Sequence, residues 1–192
     1  MGAYELRTSS SSIYRLQLAL LLLFFACAAI AWPHLPARIP THFDFGGRPN
    51  RRVATTWISW FGLPSLAVAM TLFLFGIDRL LLRSPELWNV PDRERFLKMS
   101  PAERAPVEAA VHRFVAWCAV LVTCAFIGAQ LAVYRSVEAT ALPAWIIHGL
   151  VWAPVIVVLI LVVRMTRYVR AQITGARSEL APNHTPPGAR HG

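Results

Sequence analysis

The chain has 192 residues, 56% of them apolar and only 15% charged, with a mean hydropathy of +0.47. That charged fraction is well under the roughly 25% of soluble domains, and the charges are bunched, leaving uninterrupted apolar runs of membrane length. The net charge of +9 invites a nucleic-acid partner, but the basic residues flank apolar runs instead of clustering on one face, which argues against that class and for an integral membrane protein.

Residues 1–12 form a short Ser-rich segment carrying Arg7, with Arg15 soon after, and are expected in the cytoplasm. The first apolar run, 13–32, has 20 residues, and about 20 residues at a rise of about 1.5 Å span the hydrocarbon layer. A cleaved signal peptide is the competing reading, but three further spans follow, so retention as a helix is expected. The second span, 57–77, begins with Trp57 and Trp60 as interface anchors. Pro64 is expected to kink it, and Asp78-Arg79 to end it.

The loop 78–113 holds seven Lys/Arg and six Asp/Glu. Asp92-Arg93-Glu94-Arg95-Phe96 and Ser100-Pro101-Ala102-Glu103 both read as helix starts, the second with the N-cap, proline and acid of a capping box. Two short helices at the membrane surface are therefore predicted, with Trp88, Phe96 and Leu97 in the headgroup region and a break near Pro106. The third and fourth spans, 114–134 and 144–163, are joined by a short loop and form a helical hairpin. Arg164, Arg167 and Arg170 then suit anionic lipid headgroups, and 164–192 is read as a basic, disordered tail.

The expected fold is an all-α membrane protein: one domain over 13–163 with four transmembrane helices, a short extended motif loop at 33–56 and short interfacial helices on the other side. Fourteen basic residues fall on the side of the termini and the central loop, against five on the side of the motif loop. The positive-inside rule then predicts both termini in the cytoplasm and 33–56 outside. Cys27, Cys118 and Cys124 all lie in apolar runs and are expected as buried free thiols, not as a disulfide framework.

The motif loop is shaped by proline. Pro33, Pro36, Pro40 and Pro49 fix φ and push their predecessors towards extended conformations. Ile39 to Phe45 is expected as an extended arm and Gly46-Gly47 as a turn. In such an arm His42 and Asp44 share one face, with Thr41, Phe43 and Phe45 on the other.

Leu35, Pro36, Ile39, Pro40, His42, Phe43, Gly47 and Pro49 together resemble the signature of a bacterial membrane family, the domain of unknown function 1648, which forms the N-terminal part of SdpI-type toxin-immunity proteins. Asn50 stands where the family usually has Asp, and Asp44 where Asn is common. Asn89, Pro91, Arg93 and Phe96 lie in a second segment that is similar to one in stand-alone members, with Phe96 replacing Trp. The resemblance extends over most of 16–134, and no second SdpI-type domain follows the fourth span.

His42 and Asp44, joined by His34 and His148, suit metal coordination by type, but the spacing is not that of a recognised ligand set, so a structural role is expected and no metal or cofactor. No catalytic motif is present. Ser59, Thr71, Thr123 and Gln130 are expected as interhelical contacts, and with no charged residue deep in a span an ion relay has no members. The candidate binding residues are therefore Pro36, Ile39, Pro40, His42, Phe43, Asp44, Gly47, Pro49 and Asn50, with an extracytoplasmic peptide as possible ligand. Asn89, Pro91, Arg93 and Phe96 form a candidate segment for a cytoplasmic regulator. The implied function is non-enzymatic binding or sensing, of an SdpI-like immunity or signalling type, in a bacterial inner membrane. The alternative is a small transporter component or membrane enzyme using His42 and Asp44.

Overall fold

In the computed structural model, which describes residues 3–137 and 141–180, five α-helices and one two-stranded sheet follow one another along the chain. Helix α1 is Ala3–Ala31, strands β1 and β2 are Arg38–Phe43 and Pro49–Ala54, and α2 is Trp57–Arg83. The short α3 is Arg93–Lys98, α4 is Pro101–Arg135 and α5 is Ala144–Leu180. Four of the helices are long and apolar enough to cross a membrane, over Ser12–His34, Trp57–Leu81, Pro101–Arg135 and Ala144–Gly175. This is a multi-pass membrane protein, mostly helical, with one small sheet.

Helix α4 is the centre of the bundle and packs against α1, α2 and α5. The most apolar stretch of α5 has no buried residue, so in the bilayer this helix meets hydrocarbon on most of its circumference. Gly128 lets α5 approach α4 closely, since a Cβ there would overlap the Leu150 side chain.

Local chemistry sets the helix ends. Thr56 caps α2 through a reciprocal pair with Ser59, and Ser100 caps α4 through the same device with Glu103. Pro64 lies inside α2 without ending it. Its missing N–H leaves the carbonyl of Trp60, four residues back, without an intrahelical donor, and the Gln130 side chain from α4 donates to that oxygen at 3.2 Å. A neighbouring helix thus makes good the hydrogen bond that proline removes.

Several boundaries differ from the sequence reading. Pro106 does not break the helix; α4 is continuous from Pro101. Helix α5 does not stop near Val163 but continues to Leu180, so the expected disordered tail is helical as far as the described residues reach; 181–192 lie outside them. The cysteines are free, yet Cys27 and Cys124 are exposed on the bundle surface and not buried. Lipid serves an apolar thiol as well as a protein core does.

The loop between α2 and α4 also departs from the sequence reading. Trp88 and Phe96 stack at 5.3 Å between ring centroids and form a core with Met99, Val107, Val169 and Ile173. They are therefore packed inside protein and do not anchor in headgroups; only Leu97, 38% exposed, faces outward as predicted. The extension of α5 makes this possible, because Met165, Val169 and Ile173 recur at four-residue spacing and face one side. A Phe96→Ala variant is expected to lose about 3 kcal/mol, the usual cost of emptying a buried aromatic site. A protease-sensitivity assay of this cap in detergent will detect it as early cleavage within 84–100.

Candidate functional site

The motif loop folds as a β-hairpin. Only its first strand is visible in the sequence; β2 pairs antiparallel with β1, with Ile39 opposite Val53 and His42 opposite Arg51. Register slips on either side of His42 mark bulges. The tip turns at Asp44, whose carbonyl accepts from the Gly47 N–H at 3.0 Å, and Gly47 has a φ of 78°, the left-handed region where glycine is at ease. At the base, the Thr55 hydroxyl donates to the Pro36 carbonyl at 2.5 Å and the Thr55 N–H to that of Ala37 at 2.9 Å.

Three attachments hold the hairpin against the bundle. Ile39, fully buried, packs on Ala28 of α1 and Trp60 of α2, with Val53 against the same cluster. The Trp60 indole N–H donates to the Ala28 carbonyl at 2.8 Å, tying the two helices beneath it. At the tip, the Leu142 N–H donates to the Gly47 carbonyl at 2.8 Å, and Phe45 stacks on His148 at 6.3 Å. The hairpin is thus pinned to α1 and α2 at one end and to the start of α5 at the other.

The candidate residues divide accordingly. Ile39, Pro40 and Gly47 are buried and brace the hairpin, while Pro36, Phe43 and Pro49 are half-buried. His42 and Asn50 are exposed and meet through His42 Nδ1 and Asn50 Oδ1 at 2.7 Å. Asp44 does not pair with His42: it lies beyond β1 in the turn, and its Oδ1 accepts from the Arg48 N–H at 2.8 Å. His148 is engaged with Phe45, and among the described residues no three His, Cys, Asp or Glu side chains converge as an ion site. What the hairpin offers outward is a polar strip of His42, Asn50, Arg51 and Arg52.

On the opposite side, Arg93 donates to the Glu86 carbonyl at 2.6 Å and Phe96 belongs to the cap core. Asn89 and Pro91 line a cavity of about 430 Å³ with Trp88, Met165 and Arg170.

A further group of residues went unrecognised in the sequence. Asp78 does not end α2 at a solvated boundary; it is inside the helix and only 1% exposed. Its Oδ2 accepts from the Tyr14 hydroxyl at 3.3 Å and lies 2.6 Å from His112 Nδ1. The latter is a close approach without the alignment of an N–H···O hydrogen bond. His112 Nε2 is in turn 3.2 Å from the Tyr14 hydroxyl. Further into the bundle, the Gln17 amide donates to Thr71 at 2.7 Å and to Thr123 at 2.8 Å. Thr71, Thr123 and Gln130 are interhelical as expected, whereas Ser59 serves the cap of α2. The signal was in the spacing: Tyr14 and Gln17, Thr71 and Asp78, and His112 and Thr123 are three, seven and eleven apart, so each pair shares one helix face.

No curated protein and no solved structure matches the chain. The Asn89 to Leu97 segment falls outside the family match, which covers less of the chain than the motifs suggested. That match is to the Domain of unknown function (DUF1648), and it places this domain at residues 19–68, across most of the first span, the whole hairpin and the first turns of α2.

Proposed function

We propose that this membrane protein is a non-enzymatic binding or sensing component of SdpI-like immunity or signalling type, acting through its hairpin. The observation that carries this reading is the way the hairpin is held: three separate attachments fix it, and none uses the exposed strip of His42, Asn50, Arg51 and Arg52. A rigid, preorganised edge lowers the ordering cost of binding. Its two adjacent arginines favour an acidic or carboxylate-bearing peptide. Charge distribution supports a bacterial cytoplasmic membrane with the hairpin outside and both termini inside. A transporter component or enzyme built on His42 and Asp44 has less support, since Asp44 is engaged with the backbone of its own turn.

In a strain lacking the protein, sensitivity to envelope-active peptides is expected to rise. The wild-type chain restores resistance, and an Arg51→Glu/Arg52→Glu variant of equal abundance does not. Unchanged sensitivity in the deletion strain removes the immunity reading. A Thr41→Cys variant shielded from membrane-impermeant maleimide in intact cells removes the orientation.

A further inference from the structure

A lateral groove of about 410 Å³ runs between α1 and α4 on the hairpin side of the bundle. Its α1 wall extends from Leu23 through Cys27 and Ile30 to His34, and its α4 wall from Ile127 to Tyr134. Leu23 to His34 is 12 residues, running from α1 into the 3-10 turn that follows it, and eleven steps at the helical rise of ~1.5 Å cover about 16 Å. The walls are apolar. The polar groups on its floor are already engaged, with Gln130 donating to the Trp60 carbonyl and the Trp60 indole to that of Ala28. Only the mouth is polar, where His34 and Tyr134 stand at the level of the hairpin. A dry, narrow slot open along one side, with a polar end at the membrane surface, has the form of a single acyl chain and its headgroup.

Size and charge agree with that occupant. A methylene takes up about the volume of one liquid water, roughly 30 Å³, so the slot holds on the order of a dozen. A transmembrane helix, about 10 Å across, does not enter such a slot. Beyond the mouth the chain continues into Arg38 after His34 and into Arg135 after Tyr134, and both arginines are exposed. The hairpin adds Arg48, Arg51 and Arg52, and on this side of the chain the sequence has two acids, Asp44 and Glu138, against five arginines. This excess of arginines on the side of the mouth favours an anionic headgroup.

We propose that this groove is a binding site for one acyl chain of an anionic phospholipid from the leaflet on the hairpin side. Ala28 and Trp60 both line the groove and carry Ile39 of β1, so an occupied slot backs the hairpin from below. The site does not depend on the hairpin's having a peptide ligand.

The test uses the full chain in nanodiscs of equal phosphatidylglycerol and phosphatidylethanolamine, released into native mass spectrometry. One retained phosphatidylglycerol per chain is expected. Cys27→Trp, within the slot, and Ile30→Trp, at its rim, are each expected to lower retention about tenfold, the equivalent of ~1.4 kcal/mol. Leu159→Trp on the exposed face of α5 leaves it unchanged. A His34→Ala/Arg38→Gln variant is expected to retain the two lipids equally. The proposal is overturned by a wild-type chain that retains no lipid or both lipids equally, by retention undiminished in both groove variants, or by a lipid-free dimer.

Discussion

A His112→Ala variant is expected to lose about 3 kcal/mol, because it strips the buried Asp78 carboxyl of the imidazole 2.6 Å away and leaves that group short of compensation. The Asp78 side chain is 2% exposed, and with His112 gone only the Tyr14 hydroxyl remains to meet its carboxylate. Replacing the whole pair, Asp78→Leu with His112→Leu, is expected to cost less than His112→Ala alone, since no charge is then left buried. Urea unfolding in detergent followed by tryptophan fluorescence measures both. A double-mutant cycle between Asp78→Asn and His112→Ala tests the coupling itself; additive losses would show that the two side chains do not depend on each other.

The second large effect belongs to Gly47. An alanine there is expected to detach the hairpin tip, for two reasons that add. Its φ of 78° is unfavourable for a residue with a Cβ, by about 1–2 kcal/mol. The new methyl would also run into the Leu142 carbonyl, a backbone atom that cannot swing aside. Amide exchange at Leu142, whose N–H donates to Gly47, should accelerate strongly in Gly47→Ala. Gly46→Ala is the control, because its Cβ meets only the Asp44 carboxylate, at 3.3 Å, which need give by only a few tenths of an ångström, and exchange at Leu142 is expected to stay slow. Equal protection in all three chains would sink the claim that the tip is anchored there.

These two sites were legible in the sequence to different degrees, and the reason is physical. The four spans are written in composition, because about 20 apolar residues without charge have few other homes in water. The first strand of the hairpin is written in prolines that force extension. Its partner is not: Asn50, Arg51 and Arg52 are all exposed, so β2 lacks the apolar alternation that marks a strand with one buried face. Gly47 was recognisable as a turn residue, but its contact with Leu142 joins positions 95 apart, and nothing local announces that.

Asp78 misled for a different reason. A charge at the edge of an apolar run ordinarily marks the boundary with water, and here the boundary lies a turn further on because α1 and α4 bring Tyr14 and His112 to it. The cap core was hidden in the same manner. Met165, Val169 and Ile173 form an apolar stripe within a stretch dominated by arginines, and its meaning emerges only once Trp88 and Phe96 lie against it.

Helix α5 joins the two ends of the molecule through one continuous element. Its 37 residues form a rod about 55 Å long. At one end it takes hold of the hairpin tip, through Phe45 on His148; at the other, Val169 and Ile173 are embedded in the cap. Between those ends no residue of its most apolar stretch is buried. One side of the helix packs on α4, which Gly128 lets it approach closely, and the rest of its circumference is left to lipid. A single helix thus carries both an attachment of the hairpin and part of the cap core, on opposite sides of the bundle.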